Sequence, residues 1–243
     1  MLDKWIKYEC KREKHRCRIF CFPYAGGSAI FYSKWFKYLE EDIEICPVQL
    51  PGRENRIGEE VITDINILVK EIVEAIKPLL DETCAFMGHS MGGLISYEVA
   101  RYVSRKKIAT PKAVFISGTV PPDIIKSSEK IHEISDKEFC EKIEGYDNIN
   151  KEMFKYKEFY KYFLPTLRGD FKLVETYEID KIEKLSCKMF VMGGDKDDFV
   201  PISSLKQWER YAEDPVEVKI FEGNHFYIKE HVQEICRIMN ENI

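Results

Sequence analysis

No stretch of the 243-residue chain reaches the roughly 18 consecutive apolar residues that a membrane helix needs, so no spanning segment is expected. The first 18 residues carry charges but no apolar stretch behind them. The run Ile19 to Phe22 is too short for a signal-peptide core, so a cytoplasmic protein is expected. Positive charge is not in surplus: 37 basic against 42 acidic residues leave a net −5. That balance argues against nucleic acid as a partner, because phosphate binding rests on a concentrated basic surface. The basic runs Lys11 to Arg18 and Arg105 to Lys107 read as solvated faces. Eight cysteines are present, yet none forms a C-x-x-C pair or a Cys/His metal spacing. Cys10, Cys17, Cys21, Cys46, Cys84, Cys140, Cys187 and Cys236 are expected to be reduced. Several lie in apolar runs and read as small buried hydrophobes. Internal repeats and low-complexity tracts are missing too, and 44% hydrophobic with 33% charged residues excludes a collagenous, disordered or disulfide-knot chain.

What is there alternates. Short β-branched and aromatic runs at Cys17–Phe22, Ile43–Val48, Cys84–Met87, Ala113–Ser117, Cys187–Met192 and Val216–Phe221 are separated by helix-patterned segments. This is the sequence sign of an α/β fold, a mostly parallel central sheet flanked by helices. The strongest helix spans Asp64 to Leu80, with apolar residues at three- and four-residue steps and Thr63 as its expected cap. Others are expected at Gly92–Ser104, Ile202–Tyr211 and Lys229–Met239. One domain accounts for the whole length, 1–243.

Residues 121–184 break the alternation with no strand pattern. Ser135-x-x-Glu138 reads as a capping box opening a short helix that Gly145 ends. A second helix is expected from about Lys151 to Leu164, stopped by Pro165, with Tyr156, Phe159, Tyr160 and Phe163 on one face. An all-helical insertion after a mid-sheet strand sits above the carboxyl edge of the sheet, where α/β ligand sites lie. It reads as a lid, with a plain packing subdomain as the alternative.

Gly88-His89-Ser90-Met91-Gly92 fits G-x-S-x-G. Alone the pattern is weak, since roughly one unrelated chain in twelve of this length would hold it by chance. Its setting is more telling: it follows an apolar strand and opens a helix, as a nucleophile elbow requires. A serine on a sharp, strained turn needs neighbours without side chains so that strand and helix can approach.

Serine becomes nucleophilic only when a base takes its proton and an acid orients that base. Five histidines are available. His15 lies in a charged run, His89 inside the elbow, His132 in the insertion and His231 in a helical pattern. His225 stands in a loop directly after the last strand and is the expected base. Asp195, Asp197 and Asp198 compete as the acid in the loop after the fifth strand. Asp197 is preferred because Gly194-x-x-Asp197-x-x-Val200 has the usual phrasing of such acid loops. The order Ser90, Asp197, His225 is that of α/β-hydrolases. Two oxyanion donors are expected, the Met91 amide and one from the loop Phe22-Pro23-Tyr24-Ala25-Gly26-Gly27-Ser28. A phosphate cradle is a poorer reading of that loop, which lacks a Lys-Ser/Thr pair and G-x-G-x-x-G spacing.

With these residues in view the chain resembles the stand-alone type II thioesterases of nonribosomal peptide and polyketide synthesis, members of the α/β-hydrolase superfamily. The resemblance spans about residues 17 to 240. It is carried by Phe20 to Ser28, by Gln49-Leu50-Pro51-Gly52-Arg53-Glu54-Asn55-Arg56, and by Met87 to Gly93. Tyr97 to Arg101 and Leu164-Pro165-Thr166-Leu167-Arg168-Gly169-Asp170-Phe171 extend it, with the Asp197 and His225 loops. The resemblance implies Ser90 as nucleophile, His225 as base, Asp197 as its partner, and the Ala25 and Met91 amides as the oxyanion hole. It implies hydrolysis of acyl groups stalled on the phosphopantetheine arms of acyl or peptidyl carrier proteins, with no metal or organic cofactor. Tyr24 stands where the family often has histidine, and the segment 145–151 departs from the usual phrasing; both bear on acyl preference. A medium-chain fatty acyl thioesterase, a small-ester hydrolase and a non-catalytic ligand-binding module are the competing readings. A monomer is expected.

Overall fold

Six β-patterned runs become the six strands of one sheet in the computed structural model, which describes residues 2–8, 11–80, 83–125 and 130–243. Cys10, one of the expected buried thiols, lies outside them. The strands are β1 (Cys17–Phe22), β2 (Ile43–Pro47), β3 (Cys84–His89), β4 (Ala113–Ser117), β5 (Lys188–Gly194) and β6 (Glu217–Phe221). They lie in the order β2-β1-β3-β4-β5-β6, and each neighbouring pair is parallel. Parallel strands buried on both faces need apolar residues at successive positions, which is why β3, β4 and β5 read as continuous runs, whereas the edge strand β6 alternates with Glu217 and Lys219 exposed. Side chains still alternate. Phe20, Phe22, Phe86, Val114, Ile116 and Val191 face one core, and Ile19, Cys21, Met87, Phe115, Phe190 and Met192 face the other.

The first core is closed by α1 (Ile65–Ile76) and α2 (Met91–Arg105), the second by α5 (Val232–Asn242). In α1 the expected stripe is buried: Ile65, Leu68, Val69, Ile72, Val73 and Ile76. Each such side chain contributes about 1.5–3 kcal/mol relative to exposure. Its cap is Asp64 and not Thr63. Asp64 Oδ1 accepts from the amides of Asn66 at 2.8 Å and Ile67 at 3.1 Å, and a carboxylate there also complements the positive helix start. The seven described cysteines are all free and buried. Among the described residues no helix is long and apolar enough to cross a membrane.

Between β4 and β5 the described residues form helices, turns and irregular stretches, with a single isolated bridge from Leu185 to Ala212. Ser135 and Glu138 close the expected capping box on α3 (Asp136–Ile143), and Gly145 follows in the left-handed region at φ +86°. The next helix differs from expectation. The chain turns helical at 157 and passes through a π turn at Phe159–Phe163, where the Leu164 amide donates to the Phe159 carbonyl. It then continues as α4 (Leu164–Glu175). Pro165 does not stop it. The wide turn shifts the hydrogen-bond register, and a residue without an N–H fits the first turn after the shift. The expected aromatic face does not form, because Tyr156 lies before the helix in an extended conformation and Phe159–Phe163 takes the π turn. Phe159 is buried with its ring 5.5 Å from Phe163, whereas Tyr156 and Tyr160 are 63% and 41% exposed.

Candidate active site

The strand order reverses beside β1, whose neighbours are β2 and β3, so the loops after β1 and β3 meet at the carboxyl edge. Phe22 at the end of β1 pairs with Gly88 at the start of the elbow. A Cβ on Gly88 would lie 1.9 Å from the Gly92 carbonyl oxygen, and one on Gly92 would lie 2.1 Å from the Phe22 oxygen. Strand and helix backbones therefore touch where both glycines stand, which is the reason for the G-x-S-x-G spacing. Between them Ser90 is held at φ +55°, an uncommon conformation for a residue with a side chain. Its amide donates to the Ser117 carbonyl on β4 at 2.8 Å, pinning the elbow to the next strand.

The expected base and acid meet. His225 Nδ1 donates to Asp197 Oδ2 at 2.8 Å, and both side chains are out of solvent. Asp197 Oδ1 accepts from the Phe199 and Val200 amides at 2.9 and 3.1 Å, so the carboxylate is fully engaged and cannot rotate away. Asp195 is exposed and does a different job: its Oδ1 accepts from the Gly223 amide at 2.8 Å and joins the β5 and β6 loops. Asp198 is exposed at the cavity rim. Of the other histidines, His132 pairs with Glu175 inside the insertion, and His231 Nε2 bonds the Glu222 carbonyl.

Beneath His225 runs a buried chain of neutral groups. His89 Nδ1 lies 2.9 Å from Ser117 Oγ, which lies 2.6 Å from the Tyr227 hydroxyl. The His89 ring is 4.9 Å from that of His225. Burial, then the neighbouring His225, hold the His89 pKa well below its usual range, and burial raises the Tyr227 hydroxyl. The floor of the site is therefore uncharged. The charge that orients His225 comes from Asp197 alone within this group, and no competing cation forms below it.

Ser90, His225, Ala25 and Met91 all line one cavity of about 600 Å³. Its far wall belongs to the insertion and includes Ile131, Ile143, Tyr146, Phe171 and Val174. The expected face of Tyr156, Phe159, Tyr160 and Phe163 does not line it. Tyr146 is the insertion residue that sets a phenol in the cavity lined by Ser90, and its ring packs edge-on to Phe171 and Phe226. The following residue, Asp147, pairs with Lys229 beyond the His225 loop, so the wall is fastened across the cavity. Sequence reasoning missed Tyr146, and its only signal was that the segment 145–151 departs from the pattern the rest follows.

Two further residues were visible as motif letters without a role. Arg53 and Asp170 form a buried bidentate ion pair, Nη1 to Oδ2 at 2.8 Å and Nη2 to Oδ1 at 2.7 Å. Among the described residues no group of three or more His, Cys, Asp or Glu side chains is placed to hold a metal ion. The site as a whole offers a hydroxyl on a strained turn, an oriented imidazole, backbone amides and an apolar cavity. Such a set suits acyl transfer through a serine.

Comparison with known proteins agrees with that chemistry. Residues 17–243 match the thioesterase domain family. The chain is similar to Linear gramicidin dehydrogenase LgrE of Brevibacillus parabrevis, 34% identical over 99% of this chain and 93% of that protein. It is 32% identical to the Gramicidin S biosynthesis protein GrsT of Aneurinibacillus migulanus, over 98% of this chain and 93% of the relative. Among solved structures, the type II thioesterase BorB from the borrelidin biosynthetic cluster superposes with a TM-score of 0.88 at 28% identity, covering 99% and 96% of the two chains. The chain belongs to the thioesterase family and is a hydrolase acting on thioesters, with an α/β-hydrolase fold and relatives among the type II thioesterases of nonribosomal peptide and polyketide pathways.

Proposed function

We propose that this protein hydrolyses acyl thioesters on the phosphopantetheine arm of carrier proteins, clearing mis-primed or stalled acyl groups from a nonribosomal peptide or polyketide synthase. The observation that carries the reading is the convergence of Ser90, the His225–Asp197 pair and the Ala25 and Met91 backbones on one apolar cavity, in a chain of this family. Ser90 Oγ attacks the thioester carbon as its proton passes to His225 Nε2, and the Ala25 and Met91 amides receive the oxyanion. Collapse of the tetrahedral species expels the pantetheine thiolate, which takes the proton from His225 and leaves an acyl-Ser90 ester. Water, deprotonated by His225, then releases the acid and restores the serine. No metal or organic cofactor is assigned a part. The name dehydrogenase belongs to the relative that carries it. In this chain no two glycines stand two residues apart, so G-x-G-x-x-G is nowhere available, and this supports hydrolysis over hydride transfer. We read 1–243 as one domain with 121–184 as its lid, and the protein as a cytoplasmic monomer that meets its carrier transiently.

Hydrolysis of one short acyl group on a phosphopantetheinylated carrier protein, compared with the same group on coenzyme A or N-acetylcysteamine, tests the role. A kcat/KM at least tenfold higher on the carrier is expected. Comparable rates would make the enzyme a general acyl hydrolase.

The lid reading makes its own prediction. Where the cavity wall buries each added methylene, about 0.8 kcal/mol per methylene raises kcat/KM roughly fourfold at every step until the space is filled. Val174→Trp, which intrudes on that space, is expected to cut octanoyl hydrolysis more than tenfold while leaving acetyl hydrolysis within twofold. An equal loss on both chains in a side-by-side kinetic series would remove the lid from substrate selection.

A further inference from the structure

The loop after β1 turns back on itself. The Gly27 amide donates to the Tyr24 carbonyl at 2.8 Å, and Gly26 sits at φ +75°. That is a type II turn, with glycine where the left-handed region is required. The Tyr24 carbonyl and the Ala25 N–H belong to one planar trans peptide and point opposite ways. Locking the carbonyl inward therefore aims the Ala25 N–H outward, on the side where Ala25 lines the cavity. Two further polar groups of the turn are held from outside. Asp170 Oδ2 accepts from the Gly26 amide at 2.8 Å, and Arg53 Nη1 donates to the Gly27 carbonyl at 3.1 Å. Arg53 and Asp170 are only 7% and 2% exposed, and they bond each other bidentately. A second contact joins the same partners: a Cβ on Gly26 would stand 2.9 Å from Leu167 Cδ1 on α4, so the turn lies flush against that helix.

We infer that Arg53 and Asp170 are positioning residues for the oxyanion donor at Ala25, a clamp through which α4 of the insertion fixes the loop after β1. The inference rests on the proposed serine mechanism. Neither side chain touches the reacting atoms. Their part is to fix a peptide plane whose N–H must meet a charge that exists only in the transition state. A misplacement there lowers kcat and leaves ground-state binding alone.

Asp170→Asn is the first variant, with Arg53→Met/Asp170→Leu as the second. The double change removes both buried charges at once and avoids leaving one unpaired. Kinetics on a short acyl thioester are expected to show kcat lower by ~10²-fold with KM within about twofold, as when one oxyanion donor is lost. Hexyl trifluoromethyl ketone adds Ser90 Oγ at its carbonyl carbon and carries the oxyanion in the adduct. Its inhibition constant is expected to rise by a similar factor. A loss confined to folded fraction, with kcat per titrated site and the inhibition constant unchanged, would reduce the clamp to a structural ion pair and overturn the inference. Ser90→Ala run alongside separates the two readings. Full activity in that variant would take down both the serine mechanism and the clamp. Silence there with wild-type kinetics in both clamp variants would overturn the clamp alone.

Discussion

Ser90→Ala is expected to lower thioester hydrolysis by about 10⁶-fold while leaving the protein folded. The size follows from what is removed: the hydroxyl is the proposed attacking atom, and members of a triad act as a unit, so losing the nucleophile forfeits nearly the whole of its effect. The fold has little at stake in that atom. The Ser90 amide keeps its bond to the Ser117 carbonyl, and the Gly88–Gly92 contact that shapes the elbow involves no serine side chain. A side-chain hydroxyl contributes about 1 kcal/mol at most through hydrogen bonding, so its loss should move the melting temperature by only a few degrees. Rates and thermal unfolding measured on one preparation decide the matter. A variant keeping more than 1% of wild-type turnover would mean that water attacks without a covalent intermediate.

The second large effect concerns the acid. In Asp197→Asn the side-chain oxygen can still accept from Phe199 and Val200, so the amide's NH₂ is left facing His225 Nδ1. Two donors cannot share that contact. His225 must turn its unprotonated nitrogen toward Asn, which puts the proton on Nε2 and removes the base that Ser90 needs. A fall of about 10⁴-fold in kcat is expected, the loss associated with a wrong tautomer. Asp195→Asn is the matched control. It keeps an acceptor for Gly223 in an exposed loop and is expected to stay within twofold of wild type. Reversed outcomes for the two aspartates would hand the acid role to Asp195.

These contrasts mark where the sequence is readable. The strands could be placed because a parallel sheet buried on both faces needs unbroken apolar runs, and chain and space agree there. The elbow could be placed because backbone contact permits only glycine on either side of it. Asp197 could be picked from three aspartates by its distance from Gly194 and Val200, a local spacing that sets which carboxylate faces back toward the loop's own amides. The Arg53–Asp170 clamp left no such trace. Its partners are 117 residues apart, and periodicity carries no information across that separation. Pro165 misled for a related reason. Proline ends a regular α-helix, and nothing local announces that the preceding turn has widened into a π register to admit it. Tyr146 follows a left-handed glycine in an irregular stretch, where side-chain direction depends on the neighbours it meets and not on a repeat.

The sheet's free edge carries a further consequence. β6 pairs only with β5, and its burial runs from exposed Glu217 to buried Phe221 with Lys219 also in solvent, making it the least covered strand. The chain places His225 four residues past its end. Local opening in proteins starts where few contacts must break. Loss of activity on heating is therefore expected to start at this edge strand and not in the well-filled core behind Ser90. Fraying of β6 would carry away His225, the proposed base, while Ser90 still stood on an intact elbow, so activity is expected to fade ahead of global melting.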